Sequence, residues 1–138
     1  MDGYHLDDAL DRIDLDAVCA FLTSEAYWGR WRSPEVITAQ VRSAWRVVGA
    51  YAPDGRQVGF ARAFSDGFAC AYLADVYVLA EHRGHGLGKR IVRRMIDEGP
   101  GAGFRWMLHT KDAQGLYHQF GFAAPDGSYL ERAGAVPR

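Results

Sequence analysis

The sequence predicts one α/β domain of the α+β kind. Its sheet is mixed, with about six to seven strands: an antiparallel N-terminal meander, then a parallel strand–helix–strand crossover, with helices on both faces. Three observations carry this. Two helix-forming stretches precede any long strand, and three apolar stretches separated by two turns then occupy 45–80. The last of them, Phe68 to Ala80, has Asp75 as its single charge and leads through a glycine-rich turn into an amphipathic helix. A near-continuous apolar run of that length suits a central strand covered on both faces. At 138 residues, 1–138 reads as a single domain with one sizeable core.

Taken in order, Tyr4–Leu6 is a possible short first strand. Asp14 precedes L-D-A-V-C-A-F-L, where Leu15, Val18, Cys19 and Leu22 form a helical stripe with Asp14 or Asp16 near its start. The aromatic and arginine-dense loop E-A-Y-W-G-R-W-R follows. Ser33-Pro34-Glu35 then supplies a capping hydroxyl, a proline at the first position and a first-turn acid, predicting a helix to about Ser43. Trp45–Ala52 and Gln57–Phe64 read as strands joined by Pro53-Asp54-Gly55, a hairpin signal. Ser65-Asp66-Gly67 turns the chain into the long apolar strand. The helix at 86–98 buries Leu87, Ile91, Val92, Met95 and Ile96 on one face and turns Lys89, Arg90, Arg93 and Arg94 outward. G-P-G-A-G ends it. Phe104–Thr110 makes the crossover strand, which should lie parallel to its predecessor with a right-handed connection. Asp112 caps a short helix, A-Q-G-L-Y-H-Q-F, closed by Gly121, and one or two short strands around Pro125-Asp126-Gly127 complete the sheet.

Composition excludes several classes of function. A net charge of −1 gives no argument for general affinity for nucleic acid, and none is expected; the basic residues of 83–94 are a local patch. Cys19 and Cys70 form no C-x-x-C motif and read as free buried thiols. The acidic N-terminus lacks a basic-then-apolar signal, and the longest apolar run, about 13 residues, is too short to span a bilayer. A cytoplasmic protein without membrane contact is expected.

The turn Arg83–Lys89 carries the chemistry. Gly84, Gly86 and Gly88 permit positive φ and close approach of a ligand, and the unpaired N–H groups of the turn and first helical turn can cradle an anion. The P-loop pattern fails because Arg83 stands where its first glycine belongs and Arg90 replaces the Ser/Thr after Lys89. The dinucleotide fingerprint fails at its third glycine, which would be Lys89, and it needs a longer doubly wound sheet. A glycine-rich turn alone could also be purely structural. His82 and His85 sit three apart, but with no nearby Cys or H-E-x-x-H no metal site is expected. No G-x-S-x-G is present to support a nucleophile-elbow hydrolase.

The pattern met is R-x-x-G-x-G, placed after an apolar strand. V-Y-V-L-A-E-H-R-G-H-G-L-G-K-R-I-V, followed by L-Y-H-Q-F-G-F, resembles the GNAT superfamily of N-acetyltransferases over roughly residues 35–125. The order of elements above is also the order of that fold. The resemblance implies acetyl-CoA as co-substrate. Its pyrophosphate would lie on the N–H groups of Arg83, Gly84, His85, Gly86, Leu87, Gly88 and Lys89, and its pantetheine arm along the backbone of Val76, Tyr77 and Val78. It further implies transfer of the acetyl group to a primary amine, by direct attack through a tetrahedral intermediate. A backbone N–H near Val78 would serve as oxyanion donor. Tyr117, the tyrosine of L-Y-x-x-x-G-F, would be the general acid for the departing thiolate. A phenol with an ordinary pKa of about 10 stays protonated at neutral pH and can do this. Its plainer reading is a buried aromatic beside Phe120 and Phe122.

Asp75 is the candidate base, since a lone carboxylate in an apolar strand has either a task or a partner. The alternative is a structural carboxylate bonded to a neighbouring loop; Glu25 is a second candidate base, and a water relay a third possibility. His109 and His118 read as solvated or structural. For the acceptor, Tyr27, Trp28 and Arg30, with Trp31 and Arg32, could form a pocket for a flat or carboxylate-bearing amine, or simply a packed interhelical loop. A small-molecule amine and a monomer or homodimer are expected. A module that binds acetyl-CoA without catalysis is the competing function.

Overall fold

The computed structural model describes residues 3–28 and 30–135. Five strands form one sheet in the order β1 (His5–Asp7), β2 (Arg46–Tyr51), β3 (Gln57–Ser65), β4 (Cys70–Val78), β5 (Arg105–Met107). The pairs from β1 to β4 are antiparallel and β4–β5 is parallel, as the meander and crossover predict. Four α-helices complete the fold: α1 (Leu15–Ser24), α2 (Pro34–Arg42), α3 (Leu87–Met95) and α4 (Gln114–His118).

The helix starts follow from their caps. Asp14 accepts from the Ala17 N–H at 3.0 Å to open α1, and Ser33 Oγ accepts from Val36 at 3.2 Å to open α2 behind Pro34. At its other end, α3 has its Arg94 and Met95 carbonyls taken by the Arg46 guanidinium at 2.8 and 3.2 Å. Period-2 alternation sorts the strands onto two faces. Val48, Ala50, Val58, Ala61 and Ala63 pack with Leu87, Ile91, Val92 and Met95 of α3. Val47, Phe60 and Tyr77 pack with Val18, Phe21 and Leu22 of α1 and Ile37 and Val41 of α2. Gly59 lets α3 come close: a Cβ there would stand 2.9 Å from Ile91 Cδ1 and 3.2 Å from Ala50 Cβ.

Three expectations change. Asp112 does not cap α4; Thr110 Oγ1 instead takes the Ala113 N–H at 3.0 Å, so the chain has already left the sheet by residue 110 and β5 is only three residues long. The final strands do not form among the described residues, so the sheet has five strands and not six or seven. Residues 122–135 contain no Val, Ile or Thr and are punctuated by Pro125, Gly127 and Gly134, a composition with little strand preference. Both cysteines are free, as expected, but half-buried. Among the described residues no helix is long and apolar enough to cross a membrane.

The feature that positions the site is a bulge in β4. Phe60 pairs with Tyr77 but Arg62 pairs with Ala74, so one extra residue of β4 is accommodated around Asp75, which has φ +57°. It is the one described non-glycine residue with positive φ. Leu73 lies in the α3 layer before the bulge, and Val76 and Val78 lie there after it. Without the extra residue, strict alternation would have put Leu73 and Tyr77 on the same face.

Candidate active site

The strand–turn–helix unit is built as an anion cradle needs. After β4 a short 3₁₀ turn, Ala80–His82, leads to Gly84 at φ +88° and Gly86 at φ +73°. Gly86 precedes the first residue of α3, and the earliest intrahelical bond is Arg90 N–H to Gly86 O at 3.1 Å. The N–H groups of Leu87, Gly88 and Lys89 come before that bond and have no helical partner. A Cβ at Gly84 or Gly86 would meet nothing within 4 Å, so the space over the turn is open. Arg83 folds back, its Nε donating to Val78 O at 3.0 Å. His82 is held between the Tyr4 hydroxyl at 2.7 Å and Arg56 at 2.9 Å, and Tyr4 also rests on the His85 ring.

β5 flanks β4 only at Cys70, Ala71 and Tyr72, so beyond Tyr72 the β4 edge facing away from β3 has no strand beside it among the described residues. Leu79 N–H donates to Val58 O on the β3 side at 2.8 Å, and by strand alternation Val78 N–H faces the free edge. A cleft of about 710 Å³ opens where β4 and the segment after β5 diverge. Its floor includes Leu73, Ala74 and Val76 of β4, and its walls come from the α1–α2 loop, residues 108–113 and the tail at 131–134.

Tyr117 reaches this cleft from α4. Its ring is 7% exposed and stands edge-on to Phe122 at 5.7 Å, and its hydroxyl has no hydrogen-bond partner among the described residues. Burial pushes the phenol up to about 12, with the negative charge of Asp112 and a smaller effect of Tyr27 in the same direction. It is therefore a protonated donor at neutral pH. Tyr27 and Trp28 also line the cleft, whereas Arg30 is exposed and does not; the arginines that do are Arg32, Arg62 and, from the tail, Arg132. Glu25 is exposed and outside the cleft lining.

Asp75 is held by four hydrogen bonds. Its Oδ1 accepts from Trp28 Nε1 and Arg32 Nη2, both at 2.8 Å, and its Oδ2 accepts from Arg32 Nη1 at 2.9 Å and Arg62 Nε at 2.7 Å. Burial alone would raise its pKa, but the hydrogen bonds and charges of Arg32 and Arg62 outweigh burial and hold it below the ordinary carboxylate value. All four lone-pair positions are filled, leaving no acceptor site for an amine proton. These are the bonds expected of a structural carboxylate held to a neighbouring loop. The anchored loop is the one between α1 and α2, so Asp75 fastens the loop to the sheet.

Arg62 and Tyr72 were not among the expected site residues. Arg62 had a signal: it is a lone charge in G-F-A-R-A-F, one strand before the lone charge of Asp75, and two isolated opposite charges in adjacent apolar strands should pair. Tyr72 had none. Its hydroxyl bonds to His109 Nδ1, and His109 Nε2 in turn meets Glu131 at 2.7 Å, so the one histidine in the cleft wall is exposed but held between strand and tail.

Comparison with known proteins agrees with this geometry. Residues 16–122 match the model of the acetyltransferase (GNAT) family. The chain resembles the crystal structure of a proposed GNAT acetyltransferase from Xanthomonas campestris pv. campestris, with 33% identity, 97% of this chain and 94% of that one covered, and a TM-score of 0.88. A proposed acetyltransferase from Deinococcus radiodurans R1 is 26% identical over 94% of this chain and 89% of that one, with a TM-score of 0.72. At 22% identity, a ribosomal-protein-alanine N-acetyltransferase from Brucella melitensis biovar Abortus 2308 shares the fold, covering 95% of this chain and 99% of that one with a TM-score of 0.71. No functionally curated protein matches the sequence. With more than half its length matched by the family model and a third of its residues shared with a structure of nearly equal extent, the chain belongs to the GNAT family of acetyltransferases.

Proposed function

We propose that the protein transfers the acetyl group of acetyl-CoA directly to the primary amine of a small molecule. The observation that supports this most is the position of Tyr117. A buried phenol with an unpaired hydroxyl lines the same cleft as the free β4 edge, and that strand runs straight into the anion cradle. The chain's residues fit the donor: N–H groups at 87–89 for the pyrophosphate, an unflanked strand edge at Val76–Val78 for the amide-bearing arm, and open space over Gly84 and Gly86. Bound there, acetyl-CoA supplies an activated thioester. The Val78 N–H, on the free edge, is the available donor for the oxyanion that develops as the amine attacks. Tyr117 then gives its proton to the departing thiolate, for which a phenol that keeps its proton to about pH 12 is suited. With both Asp75 oxygens engaged, the amine proton leaves through water and not through a side-chain base.

The test is thiol release from acetyl-CoA with a panel of small primary amines, alongside calorimetric titration with acetyl-CoA. Saturable binding with turnover of at least one amine is expected. Tight binding without turnover of any amine would make the protein an acetyl-CoA sensor, and absence of binding would overturn the donor assignment.

A further inference from the structure

The wall of the cleft carries Arg32, Arg62, Lys111 and Arg132 against Asp75, Asp112 and Glu131, and its buried part sets two guanidiniums against one carboxylate. Arg32 and Arg62 are 6% and 9% exposed, and both bond to the single carboxylate of Asp75. Arg32 is spent: its two terminal nitrogens go to Asp75 and Gln40, and its Nε is buried without a partner. Arg62 is not. It contributes only its Nε to Asp75, and its two terminal nitrogens have no hydrogen-bond partner among the described residues. They are not sealed like Arg32 Nε, and Arg62 is part of the cleft wall, so the surface they keep opens into the cleft. The Arg62 side chain is 11% exposed, and a fork that near to burial without a protein partner is favoured by a ligand that completes it. A carboxylate, which accepts two parallel N–H bonds, is the partner that fits the fork.

We infer that the acceptor is a small amine carrying a carboxylate, an amino acid in the broad sense, held by the Nη groups of Arg62. Asp75 acts on the substrate only through Arg62, by fixing its Nε so that the fork points at the cleft, and is a positioning residue. Tyr27 and Trp31, both about two-fifths exposed in the α1–α2 loop, stand on the rim where the rest of the amino acid would lie. The inference rests on the acetyl-transfer reading above and adds the class of acceptor to it.

Matched sets decide it: phenylalanine, phenylalaninamide and phenethylamine, with γ-aminobutyrate and butylamine for carboxylates farther from the amine. For one set the carboxylate is expected to exceed its uncharged counterparts in kcat/KM by roughly tenfold or more, as a charge-assisted bidentate contact should. The set that shows the preference distinguishes α-amino from ω-amino acids. In Arg62→Gln that ratio should collapse towards one, mainly through KM, while Arg62→Lys keeps part of it. Equal or better use of the uncharged amines by the native protein overturns the inference. So does an Arg62→Gln variant that loses rate equally on both members of a pair, which would place Arg62 at the reacting carbonyl. Calorimetric titration of the CoA-loaded native protein with the same carboxylates separates the two readings. If no amine is turned over, the transfer reading falls, but saturable binding of a carboxylate and not of its amide still supports the anion site, and no binding of either removes it.

Discussion

The proposed donor and acceptor sites are built in opposite ways. The proposed donor site is one continuous stretch, β4 through α3, and would work through backbone: a free strand edge, two glycines at positive φ and the unpaired N–H groups of a helix start. The proposed acceptor site draws on side chains of separate segments, among them the α1–α2 loop, β3, residues 108–113 and the tail. Backbone recognition needs only the chain's path, so it tolerates any side chains that permit that path. Side-chain recognition needs particular groups held in place, and here Asp75 holds them. The bulge that carries Asp75 is where the two sites meet, since it turns one β4 face to the loop while leaving the edge free.

The largest effect should come from breaking that joint. Asp75→Asn keeps shape and tolerates the left-handed backbone, but removes the one carboxylate paired with Arg32 and Arg62 among the described residues. Breaking a buried pair by removing one partner costs about 3–5 kcal/mol, and urea unfolding should show a loss in that range. A loss under about 1 kcal/mol would mean the guanidiniums are already solvated. The native protein should show the same dependence in acid. The depressed pKa of Asp75 contributes stability that is complete above the ordinary carboxylate value of 3.8 and disappears as pH falls through the lower folded value.

The matching experiment on the donor site is Gly86→Val. The φ of +73° is strained for a β-branched residue, and the new side chain would occupy the open space over the turn. Affinity for acetyl-CoA should fall by about a hundredfold or more, ~2.7 kcal/mol, in a calorimetric titration. Fluorescence-monitored unfolding should move much less than for Asp75→Asn. Retained affinity would remove the turn from the donor site.

The same contrast explains what could be read in advance. Gly84, Gly86 and Gly88 between an apolar strand and an amphipathic helix are a local pattern, so cradle and crossover were legible, as were the capped starts of α1 and α2. The acceptor site was not, because its contacts depend on register. Arg30 and Arg32 are equivalent by composition, yet only Arg32 turns inward to Asp75. Arg62 joins them because the bulge brings it opposite Ala74, beside Asp75. The missing tail strands fail for a different reason: a turn signal such as Pro125-Asp126-Gly127 marks where a hairpin could bend, but strands also need a ladder partner, and β5 offers three residues.

Tyr117 would belong to both sites, and its replacement separates chemistry from binding. Tyr117→Phe should lower kcat by roughly ten- to a hundredfold, ~1.4–2.7 kcal/mol of transition-state stabilisation, with the Kd for acetyl-CoA almost unchanged. Unaltered turnover at saturating substrate would remove the acid role. The native phenol, raised to about 12, should impose no falling limb on kcat until the pH approaches that value. Its contribution to stability is likewise complete below about pH 10 and lost as pH rises through about 12.

The smallest effect should come from the outermost joint of the acceptor site, where Glu131 fastens the tail to His109. Both side chains are more than a third exposed, so water and salt screen the pair, and such contacts are worth about 0–1 kcal/mol. Glu131→Gln should therefore leave global unfolding almost unmoved. Local opening is a separate quantity from global stability, and few buried contacts hold residues 123–135, which are exposed throughout. Hydrogen exchange should accordingly quicken in the 128–135 segment while β4 and α3 stay protected. A Tm shift comparable to that of Asp75→Asn would reverse the order, making the tail and not the bulge the element that holds the acceptor site together.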